Sequence, residues 1–120
     1  MRQGPHDEQR QRWTEGLIRE LGETIVSALG DDDVVEVLLN PDGRIWLDSR
    51  TEGMYDSGSR LLPQEAEAIL ASIAGMLGAQ IDAEHPIIEA ELPLDGSRIE
   101  GMVPPLVASP SFAIRKRAMR

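Results

Sequence analysis

The residues best suited to chemistry in this sequence are arginines at two places. Arg98 follows directly on an Asp95-Gly96-Ser97 turn, and Arg115, Lys116 and Arg117 close the stretch that begins Ser111-Phe112-Ala113-Ile114. In extended backbone, successive side chains point to opposite faces. Arg98, Glu100 and Met102 therefore share one face of their strand, and Ala113, Arg115 and Arg117 share one face of the last. If these two strands pair, Arg98 and Arg115 project from the same side of a sheet. Two converging guanidiniums form a bidentate clamp for a phosphate or a carboxylate. Ordinary ion pairing with Glu89, Glu91 or Glu100 is the other use for such arginines, and spacing alone leaves both open.

Other chemistry finds little support. Gly53 and Gly58 stand five apart, as in a phosphate-binding loop, but Ser59 and Arg60 follow where such a loop needs Lys and then Ser or Thr. His6 and His85 have no second ligand three or four residues away, so no metal site is assigned. His85 precedes Pro86 and reads as a surface or capping residue. The absence of cysteine excludes disulfides, thiolate metal sites and a cysteine nucleophile. Glu89, Glu91 and Glu100 can approach one another across a hairpin, as paired acids in acid–base catalysis do. A solvated acidic strand face has the same pattern and does no chemistry. No catalytic residue is assigned.

The elements that position these arginines follow from periodicity. Trp13, Leu17, Leu21, Ile25 and Ala28 recur at helical spacing over residues 8–29, with Ile18 and Leu29 widening the stripe and Gly22 marking a break. Alternating Val35, Val37 and Leu39, the turn Asn40-Pro41-Asp42-Gly43, and Arg44-Ile45-Trp46-Leu47 predict a hairpin. A third short strand is predicted from Gly53 to Asp56. A second helix spans 63–77, with Pro63 in its first turn, Gly78 as its stop, and Ala66, Ile69, Leu70, Ile73 and Leu77 as its apolar face. Ile88, Ala90 and Leu92, then Ile99 and Val103, form a second hairpin around Leu94-Asp95-Gly96-Ser97. Helix, hairpin, helix, hairpin gives an α+β fold, an antiparallel sheet of hairpin strands with helices packed on one face. The 120 residues, 41% of them hydrophobic, suffice for one core.

Charge narrows the partners. Residues 1–114 carry 8 Lys+Arg against 21 Asp+Glu, a net of −13, while Arg115, Lys116, Arg117 and Arg120 make the end +4. So acidic a body argues against a general nucleic-acid surface and against attraction to anionic lipid. Apolar runs fall far below the roughly 18 residues of a membrane span, and Met1 to Trp13 contain no secretion signal. A soluble cytoplasmic domain is expected.

Four stretches in order carry a resemblance: Val35 to Trp46, Gln64 to Leu70, Leu92 to Gly101 with Pro104-Pro105, and Phe112 to Arg117. Over residues 12–119 the sequence resembles the N-terminal domain of the type II/IV secretion system ATPases, in particular those of P-type conjugative transfer. The resemblance implies a hexameric cytoplasmic motor that protein partners can hold peripherally at the inner membrane and that works with other conjugative transfer components. It implies ATP and magnesium as cofactors of the full-length protein, with nucleotide lying between this domain and a RecA-like domain. It also implies that N-terminal arginines reach the phosphates, and the matching positions are Arg98 and Arg115, with Lys116 and Arg117 as weaker ones. On this reading 1–11 is a flexible N-terminal segment, 12–114 the domain, and 115–120 the start of a linker to a RecA-like domain that this chain lacks. Without a P-loop the chain is expected to be inactive alone. The alternative is a stand-alone, catalytically inert interaction domain that joins a secretion ATPase ring.

Overall fold

The structure, a computed structural model, describes residues 5–117, with side chains from Glu8 onward. Its elements run α1 (Pro5–Leu29), β1 (Val34–Leu39), β2 (Arg44–Ser49), β3 (Gly53–Arg60), α2 (Pro63–Met76), β4 (Ile87–Glu91), β5 (Arg98–Met102) and β6 (Ser111–Arg115). The six strands form one sheet in the order β3-β2-β1-β6-β5-β4, and every neighbouring pair is antiparallel. The α+β expectation holds. The last strand enters between the two hairpins and fuses them into a single sheet. Both outer strands, β3 and β4, keep a free edge among the described residues.

Alternation decides which face the helices cover. Val37, Leu39, Ile45, Leu47, Ile88, Ala90, Ile99, Phe112 and Ile114 are buried, and with Leu17, Leu21 and Ile25 of α1 and Ile69, Leu70 and Ile73 of α2 they make the core. The opposite face carries Glu36, Asp48, Glu89, Glu91, Arg98, Glu100 and Arg115, all exposed or half-buried. Leu70 packs directly onto Gly101 of β5. A Cβ there would lie 2.4 Å from Leu70 Cδ2 and 3.2 Å from Ile88 Cγ2. β5 can approach α2 this closely only without a side chain at that position.

Helix α1 breaks where Gly22 stands, at φ 83° and ψ 171°. Glycine adopts positive φ without the Cβ clash that other residues suffer. The stripe is narrower than its spacing suggests: Trp13 is 43% exposed and Ile18 is 41% exposed. The covered part of α1 begins at Leu17, so Trp13 lies one turn beyond the packing. Leu77 is likewise exposed, because α2 ends at Met76 and Leu77 sits at its C-cap. The helix starts at Pro5, so residues 5–11, expected as a flexible segment, are helical; residues 1–4 lie outside the described part.

Strand β3 continues to Arg60, four residues past its predicted end. Its register against β2 slips between Trp46↔Asp56 and Arg44↔Arg60. Small polar residues and Gly58 at positive φ fit such an irregularity. An edge strand needs little burial, so the apolar pattern was absent although the pairing is present. At its far end the chain folds over the β1–β2 turn. Gly43 has φ +90°, and a Cβ there would meet the Leu61 carbonyl oxygen at 2.7 Å.

The turns between strands are tied by side chains. Asp33 accepts hydrogen bonds from the hydroxyls of Ser49 and Thr51, while Ser49 Oγ accepts from the amides of Thr51 (3.2 Å) and Glu52 (3.1 Å). The Ser49 hydroxyl, chiefly, holds the Asp33 carboxyl below its ordinary 3.8. A carboxyl whose pKa is lower folded than unfolded adds stability above the unfolded value and loses it as pH falls through the folded one. The stability gap between the native chain and Asp33→Asn should therefore be constant near neutrality and shrink as pH falls below about 4. Urea unfolding across that range checks it, and a gap unchanged at low pH would refute it.

Candidate functional site

The register brings the arginines together. β5 pairs β6 so that Arg98 is directly opposite Arg115, and β6 pairs β1 so that Arg115 is directly opposite Glu36. On the other side Arg98 is opposite Glu91, and beyond Glu36 the row continues to Asp48. One line across the helix-free face thus reads Asp48, Glu36, Arg115, Arg98, Glu91. Like charges directly opposite are unfavourable, so the arginine pair is an electrostatic cost that flanking carboxylates relieve. Only Arg115 closes an ion pair within this row, its Nη2 lying 3.8 Å from Glu36 Oε2. With the Arg115 side chain 78% exposed, such a contact contributes about 0–1 kcal/mol. The guanidinium is free to turn to another anion.

Two stretches far apart in sequence meet beside this row. The Asp95-Gly96-Ser97 turn holds itself through Asp95 Oδ1, which accepts from the Ser97 amide at 2.9 Å. Arg117 lies against Gly96: a Cβ at that glycine, which has φ +77°, would be 3.0 Å from Arg117 Cδ. A larger residue there would push the guanidinium away. The turn and the basic end, which spacing alone left 20 residues apart, are in contact.

Lys116 has a different setting. Its amide donates to the Val35 carbonyl at 3.0 Å, extending the β1–β6 ladder by one residue. Its ammonium donates to the carbonyls of Ala28 (3.0 Å) and Asp31 at the end of α1. That helix has no basic residue in its own last turn, and a cation there complements the helix dipole. Lys116 supplies it from the other end of the chain. Arg115 ends β6, and Lys116 and Arg117 still touch the domain; residues 118–120 lie outside the described part.

A cleft of about 540 Å³ opens at this end of the sheet, with Glu36, Asp48, Arg50, Arg115, Lys116 and Arg117 among its walls. Arg98 stands beside the cleft and not in its lining. Arg50 and Glu36 were not singled out from the sequence. Arg50 follows β2 immediately, which is a readable position, but its nearness to residues 115–117 depends on β6 entering beside β1. Glu36 faces Arg115 for the same reason.

The other candidates resolve simply. His85 Nδ1 lies 3.1 Å from Asp82 Oδ1, which also accepts from the His85 amide, so the histidine helps close an exposed turn. Glu89 and Glu100 are directly opposite each other and both exposed. Among the described residues no group of three or more acidic or histidine side chains could hold a metal ion. No helix among them is long and apolar enough to cross a membrane.

No family model matches the chain. Over 100 residues, 83% of its length, it is 44% identical to the conjugal transfer protein TrbB of Rhizobium radiobacter, covering 31% of that protein. Identity to the probable conjugal transfer protein TrbB of Sinorhizobium fredii is 43% over 100 residues, covering 30% of it. The chain spans about a third of the length of these curated relatives. Its fold matches part of the VirB11 ATPase from the Brucella suis type IV secretion system, solved in complex with sulphate. The TM-score is 0.78 across 93% of this chain and 33% of that one, at 22% identity. Along most of its length the chain is thus homologous to about a third of TrbB, and it has the fold of part of VirB11.

Proposed function

We propose that this chain is the nucleotide-contacting and ring-forming domain of a hexameric ATPase that drives conjugative transfer or type IV secretion. Arg98 and Arg115 contact the phosphates of ATP, with Arg117 beside them and Lys116 in a lesser role. The observation that carries this reading is the direct pairing of Arg98 with Arg115 across β5 and β6. Two adjacent like charges on a solvated face have no structural benefit of their own, and a polyanion turns that cost into binding.

The residues present fit a polyphosphate better than they fit its metal. The cleft sets four cations, Arg50, Arg115, Lys116 and Arg117, among the carboxylates Asp32, Glu36, Asp48 and Asp95; the cations suit phosphate oxygens, whereas no group of three or more acidic or histidine side chains among the described residues is placed to hold a metal ion. Phosphoryl transfer needs a phosphate-binding lysine and magnesium ligands. In the proposed assembly a RecA-like domain, reached through a linker near residues 115–120, supplies both. The arginines here act as fixed positive charges and move no proton. The motor would work on the cytoplasmic side, with other secretion components as partners.

Tripolyphosphate titrated into the isotope-labelled chain at low salt tests the anion site directly. The amide resonances of Arg98, Arg115 and Arg117 should shift with millimolar affinity, and Arg98→Ala with Arg115→Ala should remove the shifts. Shifts that survive in the double variant, or that map elsewhere, would overturn the assignment.

A further inference from the structure

We infer that Glu36 is the resident counter-charge of the arginine pair, a carboxylate that holds Arg115 while no phosphate is bound and that an arriving phosphoanion must displace. This rests on the phosphate-contacting reading of Arg98 and Arg115 and adds the residue that sets how tightly, and for which anions, the pair binds. Glu36 is the in-register partner of Arg115 on β1, and its Oε2 lies 3.8 Å from Arg115 Nη2. The two side chains differ in freedom: Glu36 is 20% exposed and Arg115 is 78% exposed. The carboxylate is therefore the fixed member, and the guanidinium the one that can swing from it to a ligand. Glu36 also faces Asp48 across β1 and β2, so a second carboxylate adjoins it.

The consequence is selection by charge. A singly charged anion at Arg115 gains one guanidinium while standing next to Glu36. Coulomb repulsion from a unit charge a few ångströms away is comparable, in a solvated cleft, with the attraction it offsets. A polyphosphate spans both Arg115 and Arg98, so part of its charge gains a second guanidinium on the side away from Glu36. Glu36 thus lowers affinity for every anion but penalises small ones most in proportion to what they gain.

Glu36→Gln keeps the shape and removes the charge. In calorimetric titrations at low salt, tripolyphosphate should bind this variant about fivefold more tightly than the native chain, and inorganic phosphate should give measurable binding to the variant and none to the native chain. Glu89→Gln, the same charge change on the edge strand of the same face, should alter affinity by less than about twofold. Equal affinities for Glu36→Gln and the native chain, with weaker binding by Arg115→Ala, would overturn this inference and leave the phosphate site standing. Weaker binding by Glu36→Gln would also overturn it, making the carboxylate a support for Arg115 and not a competitor. Unchanged binding by Arg115→Ala would bring down the phosphate reading itself. Should Glu36→Gln fail to fold by circular dichroism, Glu36→Thr, which suits a strand, carries the same test.

Discussion

In a full-length protein that carries this domain, Arg115→Ala lowers ATP turnover by about 10- to 100-fold, while expression and the circular dichroism of the isolated domain stay unchanged. Removing a preorganised charge from a developing phosphate charge costs up to about 10²- to 10³-fold in well-enclosed sites. The lower figure fits here because the Arg115 side chain is largely exposed and Arg117 stands nearby in the same cleft. Arg98→Ala has the smaller effect, because Arg98 lies beside the cleft. The double variant loses more than the product of the two losses, since the remaining cation in each single variant already serves in part for the missing one. Arg115→Lys recovers some turnover but not all, because an ammonium cannot make the paired contacts of a guanidinium. The measurement is steady-state hydrolysis by purified variants matched for oligomeric state. Full turnover in both alanine variants would retract the role given to these arginines.

The largest effect on stability is expected at the contact between β5 and α2. Gly101→Val destabilises by about 3 kcal/mol or more, and Gly101→Ala by roughly 1–3 kcal/mol, because each forces atoms into a filled core. The reason is local: the first added carbon would meet Leu70 Cδ2 at 2.4 Å, and Leu70 is fully buried with no space to retreat into. Leu70→Ala alone costs about 2–5 kcal/mol through the cavity it leaves. Combining Leu70→Ala with Gly101→Ala should cost less than the sum, by at least about 0.5 kcal/mol, since the new methyl occupies room the leucine vacated. Denaturant unfolding of the four chains reads this coupling, and strict additivity would mean that the two residues do not share the space described.

How much of this was legible depends on sequence distance. The two hairpins were readable because Asn40-Pro41-Asp42-Gly43 and Leu94-Asp95-Gly96-Ser97 turn the chain within a few residues of the alternating stretches they join. The break in α1 was readable from Gly22 alone. β6 was recognisable as a strand, and its alternation put Arg115 on a definite face, yet no local signal told which strands it would join. That one unknown hid Glu36 and Arg50, whose place at the site follows from β1 lying against β6. The setting of Lys116 was hidden for a related reason. Its charge was visible in the sequence, but the helix end that engages it lies more than 80 residues away. Trp13 and Leu77 show the opposite failure, since apolar spacing continued past the point where the neighbouring elements stop.

The free edge of β4 has a bearing on how this domain behaves in crowded solution. An exposed strand flank offers unpaired amides and carbonyls to any second strand that comes near, and soluble proteins commonly guard such flanks with charge. Here the sequence Ile87-Ile88-Glu89-Ala90-Glu91 puts Ile87, Glu89 and Glu91 on the solvent side, with Ile87 52% exposed. Two copies meeting along this flank would set carboxylates against carboxylates beside the exposed Ile87. The acidic character that first served to argue against nucleic acid thus also places carboxylates where one copy's sheet would have to grow onto another's.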